Sequence, residues 1–588
     1  MTGGAGRGVR ADGAPPDRTA RQRDGLRRRA LLVLLPIAAL YGVAARRQSF
    51  DVFMEAEFLH IPFLQSLAEG RPSLPAVLTT FGEHLFPGTN LLLIPDYYLF
   101  GISGHYTTAV AALAVLAAAA ILAVAVARLW RGGPVSLTLC IATLGAVLLS
   151  PVNAPMWGMA LAAQWGVVLT VIAMGALAGR FGAGRMSLSP AALAPPAILL
   201  FLGGYAVGFI AAMLSGALLW GLNHRTWRRP AILAATLALS AALYVAIVSA
   251  AVPLFANAPR GGAAALPAML DFGLVLGGAS LLGTGFHALH PSFLAYRAAG
   301  LLLFALAALA LGATVSRFRR GTAEPLDLFV LLLLVYALST IAVVSVFRVA
   351  NGPEGATGNW YVAHTKLLPA GLVIWLWQRL ERPASRPVRA AWAGLALAAV
   401  LLFAAAGLRG DWIKAPYVRD WKAAIAGHAL DLISRPPGPD SAERSETLLW
   451  PAEVSKPGVE FLYRAGLWRF RGHPVLVEGL TADGWLVAGR DVLIACPPGA
   501  PALEVAVTRP PGWPPARLRV TPRDGAPAEL SVDGAAWTIP FAGPLAIARF
   551  SAQGDRAAPP VSPPGDPRAL VARIGPPSCS PPPRTRAP

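Results

Sequence analysis

Three cysteines in 588 residues cannot staple a chain of this length, so a disulfide scaffold is excluded. The sequence has no CxxC pair, no HExxH and no clustered Cys/His spacing, and a structural zinc site is not expected. It has no P-loop and no GxSxG elbow either, which removes the main signals for ATP-driven pumping and α/β-hydrolase chemistry. Charge is scarce: 14% of residues are charged, against roughly 25% in soluble domains. What is abundant is apolar, 55% of the chain, and it is concentrated between about residues 30 and 408. An ordinary soluble enzyme and a disordered protein are both excluded. The net charge of +19 does not indicate a nucleic-acid partner. Its arginines sit in short loops between apolar runs, as the positive-inside rule requires, rather than on one soluble face with interleaved aromatics.

The expected fold is a mainly α-helical polytopic membrane protein of about 11 spans with a C-terminal extracytoplasmic β-rich, sandwich-like domain. Residues 1–29, ending in Arg27, Arg28 and Arg29, read as a disordered cytoplasmic tail. The transmembrane domain covers 30–408. The run from Ala30 to Ala45 has a signal-peptide layout, but it ends in Arg46-Arg47-Gln48 with no small-residue cleavage site, so an uncleaved span is favoured. Further spans are expected at 105–129, 134–151, 155–179, 230–252, 296–316, 326–347, 361–379 and 388–408, each near the roughly 20 residues that cross a bilayer. The stretch 188–222 is long enough to cross twice, and 267–288 reads as re-entrant or interfacial. With the N-terminus inside, five basic loops then fall on the cytoplasmic side: Arg128/Arg131, Arg180/Arg185, Arg225/Arg228/Arg229, Arg317/Arg319/Arg320 and Arg379/Arg382/Arg386/Arg389. The C-terminus is then extracytoplasmic, and the inner (plasma) membrane of a bacterium is the expected location.

An external loop of 46–104 separates the first two spans. Phe53, Phe58, Ile61, Leu64 and Leu67 recur at roughly helical spacing, which predicts an amphipathic helix on the membrane surface. Thr89 to Ile102 predicts a second interfacial helix. Beyond 408 a mixed segment (409–472) leads into the β-rich domain (473–555). Strands are predicted at 475–477, 485–487, 492–494, 518–520, 530–532, 537–539 and 545–547. A Pro-rich tail of 556–588 reads as disordered. Cys140 falls in a span as a core residue. Cys496 and Cys579 are external, where an oxidising compartment permits a disulfide between them.

Ionisable groups at or in a membrane are costly and point to function. Asp51, Glu55 and Glu57 fall within seven residues, and a helix would put Asp51 and Glu55 on one face. Glu83 and His84 follow in the same loop. Such a carboxylate can take a proton from an attacking hydroxyl or hold a divalent cation beside a phosphate; it can also simply solvate an amphipathic helix. A second group, Arg348, Tyr361, His364 and Lys366, flanks the loop between two later spans. Arg348 and Lys366 can grip a lipid-linked phosphate or snorkel to headgroups.

The stretches Glu55–Gly70, Phe81–Asn90 (Phe-Gly-Glu-His-Leu-Phe-Pro-Gly-Thr-Asn) and Asn359–His364, set in this layout, resemble the GT-C class of polytopic glycosyltransferases. The resemblance covers roughly residues 30–410. It implies sugar transfer from a polyprenyl-phosphate donor to a cell-envelope glycan or lipid acceptor at the outer face. Asp51, Glu55 or Glu57 would be the base or metal ligand, and Glu83, His84, Arg348, Tyr361, His364 and Lys366 would bind substrate. A divalent cation (Mg or Mn) is the one cofactor the resemblance suggests. The sequence departs from the class pattern at Leu85 and Trp360, where arginine is usual. A transporter or flippase of a lipid-linked glycan, or a scaffold of envelope assembly, is the alternative. The discriminating feature for transporters, a repeat across two halves, is not found.

Overall fold

The computed structural model describes residues 18–51, 55–78, 80–81, 84–85, 87–150, 161–181, 205–251, 265–283, 293–381, 386–435, 452–471, 475–481, 483–513, 517–532, 534–551 and 570–581. Among these residues, seven helices are long and apolar enough to cross a membrane: 25–48, 104–129, 162–181, 206–224, 228–249, 294–319 and 325–355. The protein is a polytopic helical membrane protein with a C-terminal β-rich region. The apolar runs become helices because an isolated backbone in hydrocarbon must satisfy its own hydrogen bonds. Their ends are marked locally. Ser103 accepts from the His105 amide at the start of Gly104–Leu129. Glu324 and Asp327 form a reciprocal capping box, with Pro325 at the first helical position of Pro325–Arg348.

The structure departs from the expected span list in several places. Residues Arg18–Leu31 are helical rather than irregular, and Arg27 donates to the Trp130 carbonyl. Of the stretch expected to cross twice, Ala206–His224 is one helix, and 188–204 lies outside the described residues. The segment expected to be re-entrant or interfacial forms the 17-residue helix Leu266–Leu282. It packs among the spans because Gly278 lets it approach the backbone of Tyr296, and Gly300 lets Leu294–Arg319 approach Leu274 in return; a Cβ at either position would collide with a carbonyl. The expected span 361–379 is divided into Asn359–Thr365 and Leu367–Leu380, with Lys366 between them.

Several of the basic loops meet at one end of the bundle. Arg131 pairs with Glu324 at 3.5 Å, Arg317 pairs with Asp327 at 2.5 Å, and Glu381 accepts from Ser136 and from the Gly133 amide. At the opposite end the loop after the first helix is covered by the C-terminal region. Phe58, Ile61, Leu64 and Leu67 are buried together with Ile425, Ala429, Val459 and Leu462. The amphipathic segment therefore lays its apolar face on the chain's own helices rather than on a membrane surface. This follows from complete burial of that face, which an interface provides only in part. The expected boundary at 408 falls inside the continuous helix Arg386–Ser434, which carries the chain out of the bundle.

After the short hairpin of β1 (Thr80–Phe81) and β2 (His84–Leu85) in the loop, the remaining strands form two five-stranded sheets. These strands are β3 (Leu476–Glu478), β4 (Trp485–Val487), β5 (Val492–Ala495), β6 (Ala502–Thr508), β7 (Arg517–Pro522), β8 (Ala528–Ser531), β9 (Ala536–Pro540), β10 (Ile547–Ser551), β11 (Leu570–Ile574) and β12 (Ser578–Cys579). One sheet runs β3-β5-β10-β7-β8. The other runs β12-β6-β11-β4 with β9 paired to β6. Alternate residues of β6 and β7, such as Leu503, Val505, Val507, Leu518 and Val520, face the shared core.

The sandwich extends past its expected end at 555. Strands β11 and β12 lie inside the stretch expected to be a disordered tail, because Leu570, Val571 and Ala572 supply core side chains despite the flanking prolines. Cys496 and Cys579 are bonded, closing a separation of 83 residues. Replacing both cysteines by serine is expected to destabilise the sandwich by about 2–4 kcal/mol. The check is thermal unfolding with and without reductant: only the wild-type protein should respond to the reductant.

Candidate functional site

Two aspartates, 45 positions apart, meet at the head of helix Gly104–Leu129. Asp51 Oδ1 accepts from the Gly104 amide at 2.8 Å, and Asp96 Oδ1 accepts from the Ser103 amide at 2.9 Å. The free amides and the positive end of the helix dipole favour carboxylates there. Asp96 itself sits in a π-helical turn, Asp96–Phe100, that ends on Gly101 at φ 72°. Its second oxygen, Oδ2, is buried with no protein donor. Burial pushes the Asp96 carboxyl up to about 7, and the Asp51 charge adds to that rise. Burial also raises Asp51, opposed by the Gly104 amide, His105 and Arg469. Burial and the nearby Asp51 charge thus both favour a proton on Asp96.

Asp96 and Glu57 line one small pocket, together with His60, Ser103, Thr107 and Trp468. His60 shares a 2.6 Å hydrogen bond with Asn90 Oδ1, and Asn90 donates to the carbonyls of Ala76 and Val77. These bonds tie three pieces of the loop together. Burial lowers His60 to about 4, so it is neutral at physiological pH. Lys422, almost wholly buried, donates to the Gln48 carbonyl at 3.2 Å; burial lowers it to about 8, with Glu57 opposing. The pocket is closed from the C-terminal side. The Trp468 indole donates to the Asp51 carbonyl at 3.1 Å, the Trp468 amide donates to the Gly101 carbonyl, and the Arg471 side chain lies where a Gly101 Cβ would be. Trp468 adopts φ 57°, a left-handed conformation uncommon for a bulky residue.

The other loop acids are placed differently. Asp51 is not helical and Glu55 opens a 3₁₀ turn, Glu55–His60, so the expected shared α-helical face does not form. The Glu55 side chain, Glu83 and the His84 side chain lie outside the described residues. Among the described residues no three His, Cys, Asp or Glu side chains converge as a metal site.

Of the second group, Lys366 lines a cleft farther along the same helix. Lys366 is 4% exposed, and its ammonium donates to the Leu148 carbonyl at 2.8 Å. It lies on the wall of an apolar cleft with Val115, Ala118, Leu122, Gln164 and Val362. Thr107, Val115, Ala118 and Leu122 are spaced 8, 3 and 4 residues apart and fall on one helical face. The pocket below the aspartates and the Lys366 cleft therefore share a wall, with their nearest lining residues about 12 Å apart along the axis. His364 is buried, bonds the Tyr336 hydroxyl at 2.7 Å and stacks on Tyr205. Tyr361 packs edge-on to the same Tyr205. Arg348 ends helix Pro325–Arg348, twelve residues beyond Tyr336 and so about 18 Å along the axis. Tyr361 and His364 thus meet at Tyr205, Lys366 lies on the cleft wall, and Arg348 stays at the helix end.

Asp96, Lys422, Trp468 and Arg471 were not singled out from the sequence. A lone aspartate after Pro95 in an apolar run was the available signal for the first; the other three need the tertiary fold.

No protein-family model matches the chain, and no curated protein matches it. Among solved structures, the crystal structure of ArnT from Cupriavidus metallidurans bound to undecaprenyl phosphate is similar, at 16% identity and a TM-score of 0.36, over 73% of this chain and 76% of that one.

Proposed function

We propose that the protein is a GT-C-type membrane glycosyltransferase that moves a sugar from a polyprenyl-phosphate donor to a cell-envelope glycan or lipid at the outer face. The observation that carries the reading is the Asp51–Asp96 pair at the head of a helix whose same face runs down into the apolar Lys366 cleft. An amphiphilic donor fits that order: prenyl units against Val115, Ala118 and Leu122, phosphate towards Lys366, and sugar towards the carboxyls. The ionised member of the pair takes the proton of the acceptor hydroxyl as its oxygen bonds the anomeric carbon. The bond from that carbon to the phosphate oxygen breaks, and the electron pair leaves with polyprenyl phosphate. Trp468 and Arg471 hold the pocket closed over the reacting centre and exclude water.

Detergent-purified protein incubated with a panel of polyprenyl-phosphate sugars tests this. A donor that binds the folded state raises the unfolding midpoint by mass action. The expected result is a clear shift with at least one donor and release of polyprenyl phosphate when acceptor glycan is added. A folded, monodisperse protein that shifts with none of the donors overturns the reading. A shift with no sugar transferred under any acceptor points instead to transport.

A further inference from the structure

At the end of the bundle that carries the basic loops, an open cavity of about 430 Å³ is lined by Ala313, Ser316, Arg317, Arg320, Thr322 and Arg379. Among these lining residues there are three guanidinium groups, two hydroxyls and no carboxylate. Arg317 is anchored by Asp327 at 2.5 Å and by the Thr322 carbonyl. Arg379 lies over the Trp375 ring, so two of the three guanidiniums are held in place from behind. The wall of the cavity continues into an apolar stripe. Leu302 and Leu309 are 57% and 63% exposed, and with Ala313, Ser316 and the C-cap residue Arg320 they follow at spacings of 7, 4, 3 and 4 along one face of helix Leu294–Arg319 and its end.

We propose that this cavity is a binding site for an anionic phospholipid, whose phosphate is held by Arg317, Arg320 and Arg379 while an acyl chain runs along Leu309 and Leu302. The site lies at the end of the bundle to which the charge rule assigns the cytoplasm. It is independent of the glycosyltransferase reading. A free phosphate has no use for the leucine stripe, and a zwitterionic lipid brings a cation against three arginines. Basic pockets between spans select anionic headgroups on both grounds.

The test is thermal unfolding of the full-length protein in detergent with phosphatidylglycerol, phosphatidylcholine or inorganic phosphate. Each is measured on wild type, Arg320→Gln, Arg320→Gln/Arg379→Gln and Arg319→Gln. Arg320 and Arg319 are both exposed, so neither single change threatens the fold, and only Arg320 lines the cavity. Phosphatidylglycerol is expected to raise the midpoint where the other two additions do not. Its affinity should fall about 10-fold in Arg320→Gln, further in the double variant, and not in Arg319→Gln. An equal response to phosphate makes this a small-anion site and overturns the lipid. An equal response to phosphatidylcholine, or an equal loss in Arg319→Gln, reduces it to bulk contact with a charged surface and overturns the site.

Discussion

Asp51→Asn is expected to lower sugar transfer by about 10²–10⁴-fold with little change in donor affinity, because a carboxylate that moves a proton in the transition state adds rate rather than ground-state binding. Asp96→Asn is expected to act differently. With Asp96 raised to about 7, the active form has Asp51 ionised and Asp96 protonated. Turnover should then rise with pH as Asp51 loses its proton and fall again above about 7 as Asp96 follows. An amide at 96 cannot ionise, so the alkaline limb should vanish while the acid limb stays. A pH profile of kcat for wild type and both variants checks this. An alkaline limb that persists in Asp96→Asn assigns it to another group.

The same titration has a stability consequence of fixed sign. In the folded protein Asp96 is raised to about 7 from an ordinary value near 4. Below about pH 4 both folded and unfolded forms hold the proton, and the site costs nothing. Between 4 and 7 the unfolded chain releases a proton that the folded chain retains. Stability therefore falls as pH rises through that window, by roughly 4 kcal/mol in all. Asp96→Asn keeps an oxygen for the Ser103 amide and loses the penalty. It should be more stable than wild type at pH 8 and nearly equal at pH 4. A stability gain that appears only as pH rises through this window assigns the cost to ionising the buried Asp96 carboxyl.

The parts of this arrangement that were legible from sequence are those set by local composition. Gly104–Leu129, Leu294–Arg319 and Pro325–Arg348 announce themselves as apolar runs ending in arginine. The loop contacts Arg131–Glu324 and Gly133–Glu381 bring together ends that the charge pattern had assigned to one side. Strand β4 is where alternation put it, whereas β6 and β11 were hidden by neighbouring prolines and by alanines that blur the period of two. Asp51 was legible as an acid after a span. Its partner was not, because Asp96 reaches it only through the turn at Gly101. Nor was the closure by Trp468, which crosses 417 positions to reach the Asp51 carbonyl. Single-sequence patterns report which face of an element is apolar. They do not report which distant element covers it, and the pocket is built from such coverings.

Lys366 gives the second large effect, and its interest lies in two readouts that move in opposite directions. A buried ammonium is costly to keep out of water unless it is paired, and the Leu148 carbonyl accepts one hydrogen bond from Lys366. Lys366→Met preserves the length and apolar stem of the side chain and removes the charge. If the lysine merely braced the helix break between Thr365 and Leu367, the substitution would leave the Leu148 carbonyl without its donor and lower the unfolding midpoint. If the lysine is there for a phosphate, the folded protein should lose little stability or gain some, while affinity for a polyprenyl-phosphate sugar falls by about 10²-fold or more. Losing one member of a desolvated charge pair typically costs 2–5 kcal/mol. Unfolding midpoints without ligand and a donor titration on the same sample separate the two cases. Lys366→Arg should recover part of the affinity, since charge returns without the fit of a single ammonium. Weak binding combined with unchanged stability assigns Lys366 to the donor, and a lowered midpoint with intact affinity assigns it to the helix break.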